Sequence, residues 1–137
     1  MNSGIYMAQP DANGELQFRQ MLNRPDIRNE VNIIRQLKDG TICVGFGRGL
    51  AVFNPEELIA DTTKYIFYSA ENSALASEEI RDILEDRDGN VWIATVGAGV
   101  FKATGDKKHL HFKQYTTQNG LANDLTCSLQ LDKKGNL

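Results

Sequence analysis

The sequence is poor in the residues that mark several classes of protein. Three prolines and two cysteines in 137 residues exclude a proline-rich linker and a disulfide-stapled scaffold. No stretch approaches the ~18 consecutive apolar residues of a membrane-crossing helix. No basic head followed by an apolar core opens the chain as a secretion signal. Lys and Arg do not cluster: 15 basic residues stand against 18 acidic ones, for a net charge of −3 and a pI near 5.3. That balance offers no electrostatic footprint for a nucleic-acid partner. There are only two histidines, and neither a Gly-x-Ser-x-Gly elbow nor a glycine-rich phosphate loop. Apolar residues at 41% suffice for a core, which excludes general disorder.

Glycine, by contrast, is plentiful at 12 copies, and much of it is regularly placed. The stretch Asp86-Arg-Asp-Gly-Asn-Val-Trp-Ile-Ala-Thr95, followed by Gly97-Ala-Gly-Val-Phe101, has a counterpart in Leu37-Lys-Asp-Gly-Thr-Ile-Cys-Val-Gly-Phe46, followed by Gly47-Arg-Gly-Leu50. Gly40 and Gly89 are 49 residues apart, and a third copy places Gly135 another 46 along. A fourth copy without its head opens the chain, where Ser3-Gly-Ile-Tyr6 echoes 97–101. A period of 45–50 residues is that of propeller blades and exceeds that of ankyrin or leucine-rich repeats.

Each unit reads as four short strands, placed in the best copy near 80–86, 91–96, 99–104 and 111–116. Gly89 supplies the positive φ that closes the first hairpin. Val91-Trp-Ile-Ala-Thr95 and Ile42-Cys-Val-Gly-Phe46 lack polar alternation, as expected of strands covered on both faces. No helical period of useful length appears. Pro55-Glu-Glu-Leu-Ile-Ala60, capped by Asn54, reads as one turn of helix in an excursion between third and fourth strands. The fold class is therefore all-β: propeller blades of four antiparallel strands, about three blades forming an incomplete ring. Residues 1–137 divide into a half blade (4–20), a blade (31–69), a second blade (80–116) and the start of the next (125–137). A solenoid of stacked sheets and a sandwich are the structural alternatives. Three blades fall short of the four to eight that close a ring, so the chain is expected to be a piece of a larger propeller that self-associates through its open blade ends.

These residues resemble the two-component regulator propeller repeat: Asp-x-x-Gly-x-apolar-Trp-Ile-Gly-Thr, then Gly-Gly-apolar, then an Asn-Gly-Leu connector. Residues 86–95 match nearly throughout, with Ala94 for the glycine, and Asn119-Gly-Leu121 matches the connector. Ser73-Ala-Leu75 is a degraded connector, and 31–53 departs further, with Cys43 for the tryptophan and Phe46 for the threonine. The resemblance implies the periplasmic, extracytoplasmic sensor region of a hybrid two-component histidine kinase that responds to carbohydrate. Within such a protein the fragment itself is no enzyme, and it uses no cofactor. Its partners would be an oligosaccharide ligand, the remaining blades and the downstream sensor domain, with the membrane reached only through the parent protein. The competing readings are a fragment of a propeller lyase or hydrolase acting on polysaccharide, and a protein-interaction scaffold.

Candidate sites follow from the repeat. Loops that precede first strands flank the central channel of a propeller. Asp26, Arg28, Asn29, Glu30, Glu78, Glu79, Asn123 and Asp124 are thus the candidate ligand contacts. Asp86, Asp88 and Asn90 have the spacing that starts a calcium loop, but its twelfth position is Gly97, so a structural hairpin is expected. The same spacing resembles the Asp-box turn of sialidases, also structural. His109 and His111 alternate on the expected outer strand and so share a face, without a third ligand to complete a metal site. Cys43 and Cys127 fall on blades two apart, too distant for a disulfide. Trp92 is expected as a core anchor between blades, and Tyr65, Phe67 and Tyr68 as packing residues of an outer strand.

Overall fold

The computed structural model describes residues 5–22, 31–75, 79–126 and 128–137. Strands β1 (Ile5–Pro10) and β2 (Leu16–Leu22) form an antiparallel pair. Strands β3 (Val31–Gln36), β4 (Ile42–Phe46), β5 (Gly49–Phe53) and β6 (Ile66–Tyr68) make a four-stranded antiparallel meander in sequence order. Strands β7 (Glu79–Glu85), β8 (Val91–Val96), β9 (Val100–Thr104) and β10 (His111–Tyr115) repeat it, within one residue of the strands read from the sequence. These are propeller blades, and the ring they belong to is open.

Local sequence explains the turns. Between β7 and β8 the Asp86 N–H donates to the Asn90 carbonyl at 2.9 Å, with Gly89 at φ +84° where an L side chain would be strained. Gly99, at φ +78°, lies so close to β10 that an added Cβ would overlap the Tyr115 carbonyl oxygen. The excursion of the first complete blade holds helix α1 (Pro55–Ala60), whose first N–H groups at Glu56 and Glu57 donate to the Asn54 carboxamide oxygen.

Alternation along β4 and β5 builds two cores. Cys43, Leu50 and Val52 face the second complete blade and meet Ile83, Val91, Ile93, Phe101 and Ala103. Val44, Phe46, Ala51 and Phe53 point the other way and meet Ile5, with Leu58 of α1 sealing the edge. A strand buried on both faces needs apolar residues at every position, which is why these runs lack polar alternation. Each fully buried Leu, Ile or Phe here contributes about 1.5–3 kcal/mol of apolar burial. At Gly45 the blades approach too closely for a side chain, since a Cβ there would stand 2.5 Å from Ile80 Cγ2.

Polar groups fix the inner strands to one another. Asn32 Nδ2 donates to the Ile80 carbonyl at 3.1 Å, and the Lys38 N–H donates to Glu85 Oε1 at 2.7 Å. The buried Asp82 accepts from the Leu129 N–H at 2.8 Å and lies 3.5 Å from the Arg35 guanidinium. Residues 128–137 therefore lie against the second complete blade, where the Arg87 guanidinium also donates to the Lys133 carbonyl. Of the strand expected within 125–137, the described residues show one bridge, Val96 to Leu125, and a turn that closes from Asp132 N–H to the Asn136 carbonyl at 2.8 Å.

Candidate functional site

An aspartate anchors the recurring turn. Asp86 Oδ1 accepts from the backbone N–H groups of Asp88 and Asn90, at 3.0 and 2.9 Å. Its Oδ2 accepts from Asn90 Nδ2 at 3.2 Å and from Trp92 Nε1 at 2.9 Å. Burial opposes ionisation of this carboxyl, but the Trp92 and Asn90 donors outweigh it and hold the pKa below the usual 3.8. Asp132 accepts in the same way from Lys134, Asn136 and the Asn136 side chain. Asp11 does so from Asn13, Glu15 and Gln17 Nε2. The Asp86 oxygens are consumed by the turn, in keeping with a structural hairpin. Among the described residues no group of three or more His, Cys, Asp or Glu is placed to hold a metal.

The first complete blade replaces both ends of this bond at once. Leu37 stands where Asp86 does and Cys43 where Trp92 does, 49 residues earlier, and both are buried in the inter-blade core. Burial pushes the Cys43 thiol up to about 12, so it is a packing group. Cys127 lies outside the described residues.

Val91 and Ile93 face the first complete blade, so the indole of Trp92 between them points to the other face and is half-buried in this chain. Its ring lies 5.7 Å from that of Tyr115, with Lys102 Nζ 5.3 Å from its centroid. The histidines correct an expectation. Strand β10 begins at His111, and His109 sits in the preceding turn with its N–H on the Asp106 carbonyl, so they share no strand. The aromatic packing residues are placed as expected. Phe67 tilts against Phe46 at 6.0 Å, and Tyr68 meets Phe112 edge-on at 5.2 Å. The Tyr68 hydroxyl also joins the blades, accepting from the Leu110 N–H and donating to the Lys107 carbonyl, both at 3.2 Å.

The expected ligand residues divide in two. Asp26, Arg28, Asn29, Glu30 and Glu78 lie outside the described residues. Glu79, Asn123 and Asp124 are placed, each with protein partners. Glu79 Oε1 is 3.0 Å from the Arg81 guanidinium. Asn123 Oδ1 accepts from the Leu125 N–H, and Asp124 Oδ1 from the Thr117 N–H, both at 2.9 Å. The Asp124 carbonyl further accepts from the N–H groups of Gly97 and Gly99. Thr126 Oγ1 donates toward the Thr95 carbonyl at 2.9 Å and accepts from its N–H at 3.0 Å. The connector thus clamps the β8–β9 turn.

A cleft of about 440 Å³ opens on the opposite edge of the blades, which the sequence reading missed. Strands β3 and β4 meet there at residues 37–41, as do the β5–β6 connection (54–65) and the β9–β10 turn (105–110). Its signal in the sequence was the length of 54–65: twelve residues, against six in 105–110 and five in 11–15.

Comparison with known proteins names the repeat. Residues 74–97, which hold the Asp86–Trp92 turn, match the model of the two component regulator propeller. The two complete blades share one four-stranded plan. The chain is similar in fold to the extracellular domain of a putative hybrid two-component system from B. thetaiotaomicron, with TM-score 0.66 at 18% identity, over 93% of this chain and 19% of that one. It is also similar to PorZ, a surface component of the type-IX secretion system of Porphyromonas gingivalis, with TM-score 0.59 at 18% identity, over 91% of this chain and 17% of that one. The chain therefore spans under a fifth of either protein, and what is shared is the fold. No curated protein sequence matches it.

Proposed function

We propose that the chain is part of the extracytoplasmic, periplasmic sensor region of a hybrid two-component signalling protein, that it responds to an oligosaccharide, and that it is not itself catalytic. The observation that carries this reading is the two-component regulator propeller repeat at 74–97, set within a fold similar to the extracellular domain of a putative hybrid two-component system. No helix among the described residues is long and apolar enough to cross a membrane. The proposed polar ligand contacts are the channel-side loops: Asp26, Arg28, Asn29 and Glu78, with Glu79, Asn123 and Asp124. Because Glu79, Asn123 and Asp124 already hold backbone or ionic partners, a ligand there would exchange those bonds and shift the connector. A signal then requires unequal affinity for the two arrangements of the connector, since a ligand moves an equilibrium only by that difference.

Self-association is part of the proposal. Cross-strand pairing puts Tyr6, Phe18 and Leu16 on one face of β1–β2, exposed at 48, 70 and 58%. A neighbouring blade of the parent ring would cover this face, and a second copy covers it in the chain alone. The test of the function is a thermal-shift screen of the parent's extracytoplasmic region against neutral and acidic oligosaccharides, paired with kinase autophosphorylation. A ligand that raises the melting temperature and changes autophosphorylation supports the reading. A screen in which no sugar moves either quantity while oligosaccharide is cleaved points to the lyase or hydrolase alternative.

A further inference from the structure

The cleft on the edge away from the channel-side loops has the makings of a second binding site. Its unusual wall is the connection 54–65, several residues longer than the same connection needs to be in the neighbouring blades. Repeat proteins carry insertions of this kind on a functional face, because the fold closes without them. The insertion is held firmly. Asn54 caps α1, Leu58 is fully buried in the core, and Asp61 Oδ1 accepts from the Thr63 N–H and hydroxyl at 3.0 and 2.7 Å. The cleft wall is thus preformed rather than a loose loop.

Val52, Phe53 and Ile66 give the cleft an apolar floor, with Tyr65 beside it. The formal charges on the wall balance, with three lysines and three acids, but their bonding does not. Asp39 Oδ1 accepts from the Thr41 N–H at 2.9 Å, and Asp106 Oδ1 from the Lys108 N–H at 2.8 Å, so two of the acids serve turns. Lys107 Nζ reaches the Gly89 carbonyl at 3.3 Å. Lys64 and Lys108, which come from different blades, have no carboxylate within salt-bridge distance among the described residues. Glu57 is the acid that serves no turn. The uncommitted groups are therefore two ammonium donors and one carboxylate acceptor over an apolar floor.

We propose that this cleft binds a small organic carboxylate that also carries hydroxyl or ammonium donors, its carboxylate held between Lys64 and Lys108 and a donor turned to Glu57. The volume of about 440 Å³ suits a solute of one or two rings or a short chain. Because the wall charges cancel, affinity comes from contact and not from long-range attraction. Binding across two blades would stiffen their mutual angle, an input separate from the channel-side loops. The proposal does not depend on the sensor reading.

The experiment is calorimetric titration of the full chain with glucuronate, glutamate and glucose, repeated with Lys64→Gln, Lys108→Gln and the double variant. The expected result is saturable binding of glucuronate or glutamate, with glucose at least ~10-fold weaker, and a loss of ~10-fold for each lysine replaced. Which acid binds tells whether hydroxyl or ammonium donors face Glu57. Neither lysine makes a salt bridge among the described residues, and Lys64 acts on Asp61 only as a nearby charge, so the variants are expected to melt close to the parent temperature. Failure of both acids to bind saturably, glucose binding as tightly as the acids, or unchanged affinity in the double variant overturns the proposal.

Discussion

Replacing Trp92 by phenylalanine removes the indole N–H together with the five-membered ring that carries it, so the loss includes packing on Tyr115 as well as the hydrogen bond to Asp86, and a double-mutant cycle isolates the bond. The lost bond is 2.9 Å long, ends on an ionised carboxylate and lies half-buried. A bond of that kind contributes about 1–1.5 kcal/mol net. Replacing Asp86 by alanine removes the same bond and also the acceptor for the Asp88 and Asn90 N–H groups and for Asn90 Nδ2. Those donors sit near water and recover part of the loss, giving about 2–3 kcal/mol. In a double-mutant cycle the Asp86 and Trp92 losses therefore overlap by about 1 kcal/mol. Urea unfolding followed by far-ultraviolet circular dichroism measures it without relying on tryptophan emission. The sign with pH is fixed by the lowered pKa of Asp86. The bond stabilises the fold at pH above the ordinary value of 3.8, and its contribution falls away as pH drops through the lower folded value. Additive losses within about 0.3 kcal/mol would refute the idea that the indole and carboxylate act together.

Three further outcomes follow from the packing. Gly99→Ala should cost about 3 kcal/mol or more because its Cβ meets the Tyr115 carbonyl, whereas Gly89→Ala, with open space around it, should cost only its backbone strain of about 1 kcal/mol; thermal melts of the two variants separate the effects. The Cys43 thiol, pushed up to about 12 by burial, should resist iodoacetamide near neutral pH until the chain unfolds, and stability should decline as pH climbs from about 9 toward 12; alkylation rates against denaturant test both. Phe18→Glu places a charge on the exposed face of β1–β2 and should lower the concentration-dependent mass seen by light scattering, while leaving the melting temperature of the monomer nearly unchanged.

The repeat was legible because its marks are local. Gly89 and Gly40 close turns that residues on either side cannot close, and strands buried on both faces show as apolar runs at 42–46 and 91–95. Helix α1 was legible for the same reason, from Asn54 and Pro55 at its start. What escaped depends on direction and on distant partners. An apolar run tells that Trp92 is among buried neighbours but not which way it points, and the alternation of Val91 and Ile93 turns it away from the first complete blade. The joint exchange of Asp86 and Trp92 for Leu37 and Cys43 is visible letter by letter, yet the bond that couples them appears only once the hairpin brings the carboxylate onto the indole N–H. The cleft joins Lys64 to Lys107 and Lys108 across two blades, and of it the sequence displays only the extra length of 54–65. Asn123 and Asp124 read as exposed polar loop residues, whereas their side chains hold the connector together.

The most direct test of the account is a crystal structure of the parent's extracytoplasmic region containing this chain. The account predicts a closed ring in which β3 and β7 are neighbouring inner strands at a central channel, Trp92 is covered by the blade that follows, and Tyr6 and Phe18 by the blade that precedes. Sheets stacked as a solenoid or facing each other as a sandwich, with no channel beside β3 and β7, would contradict it.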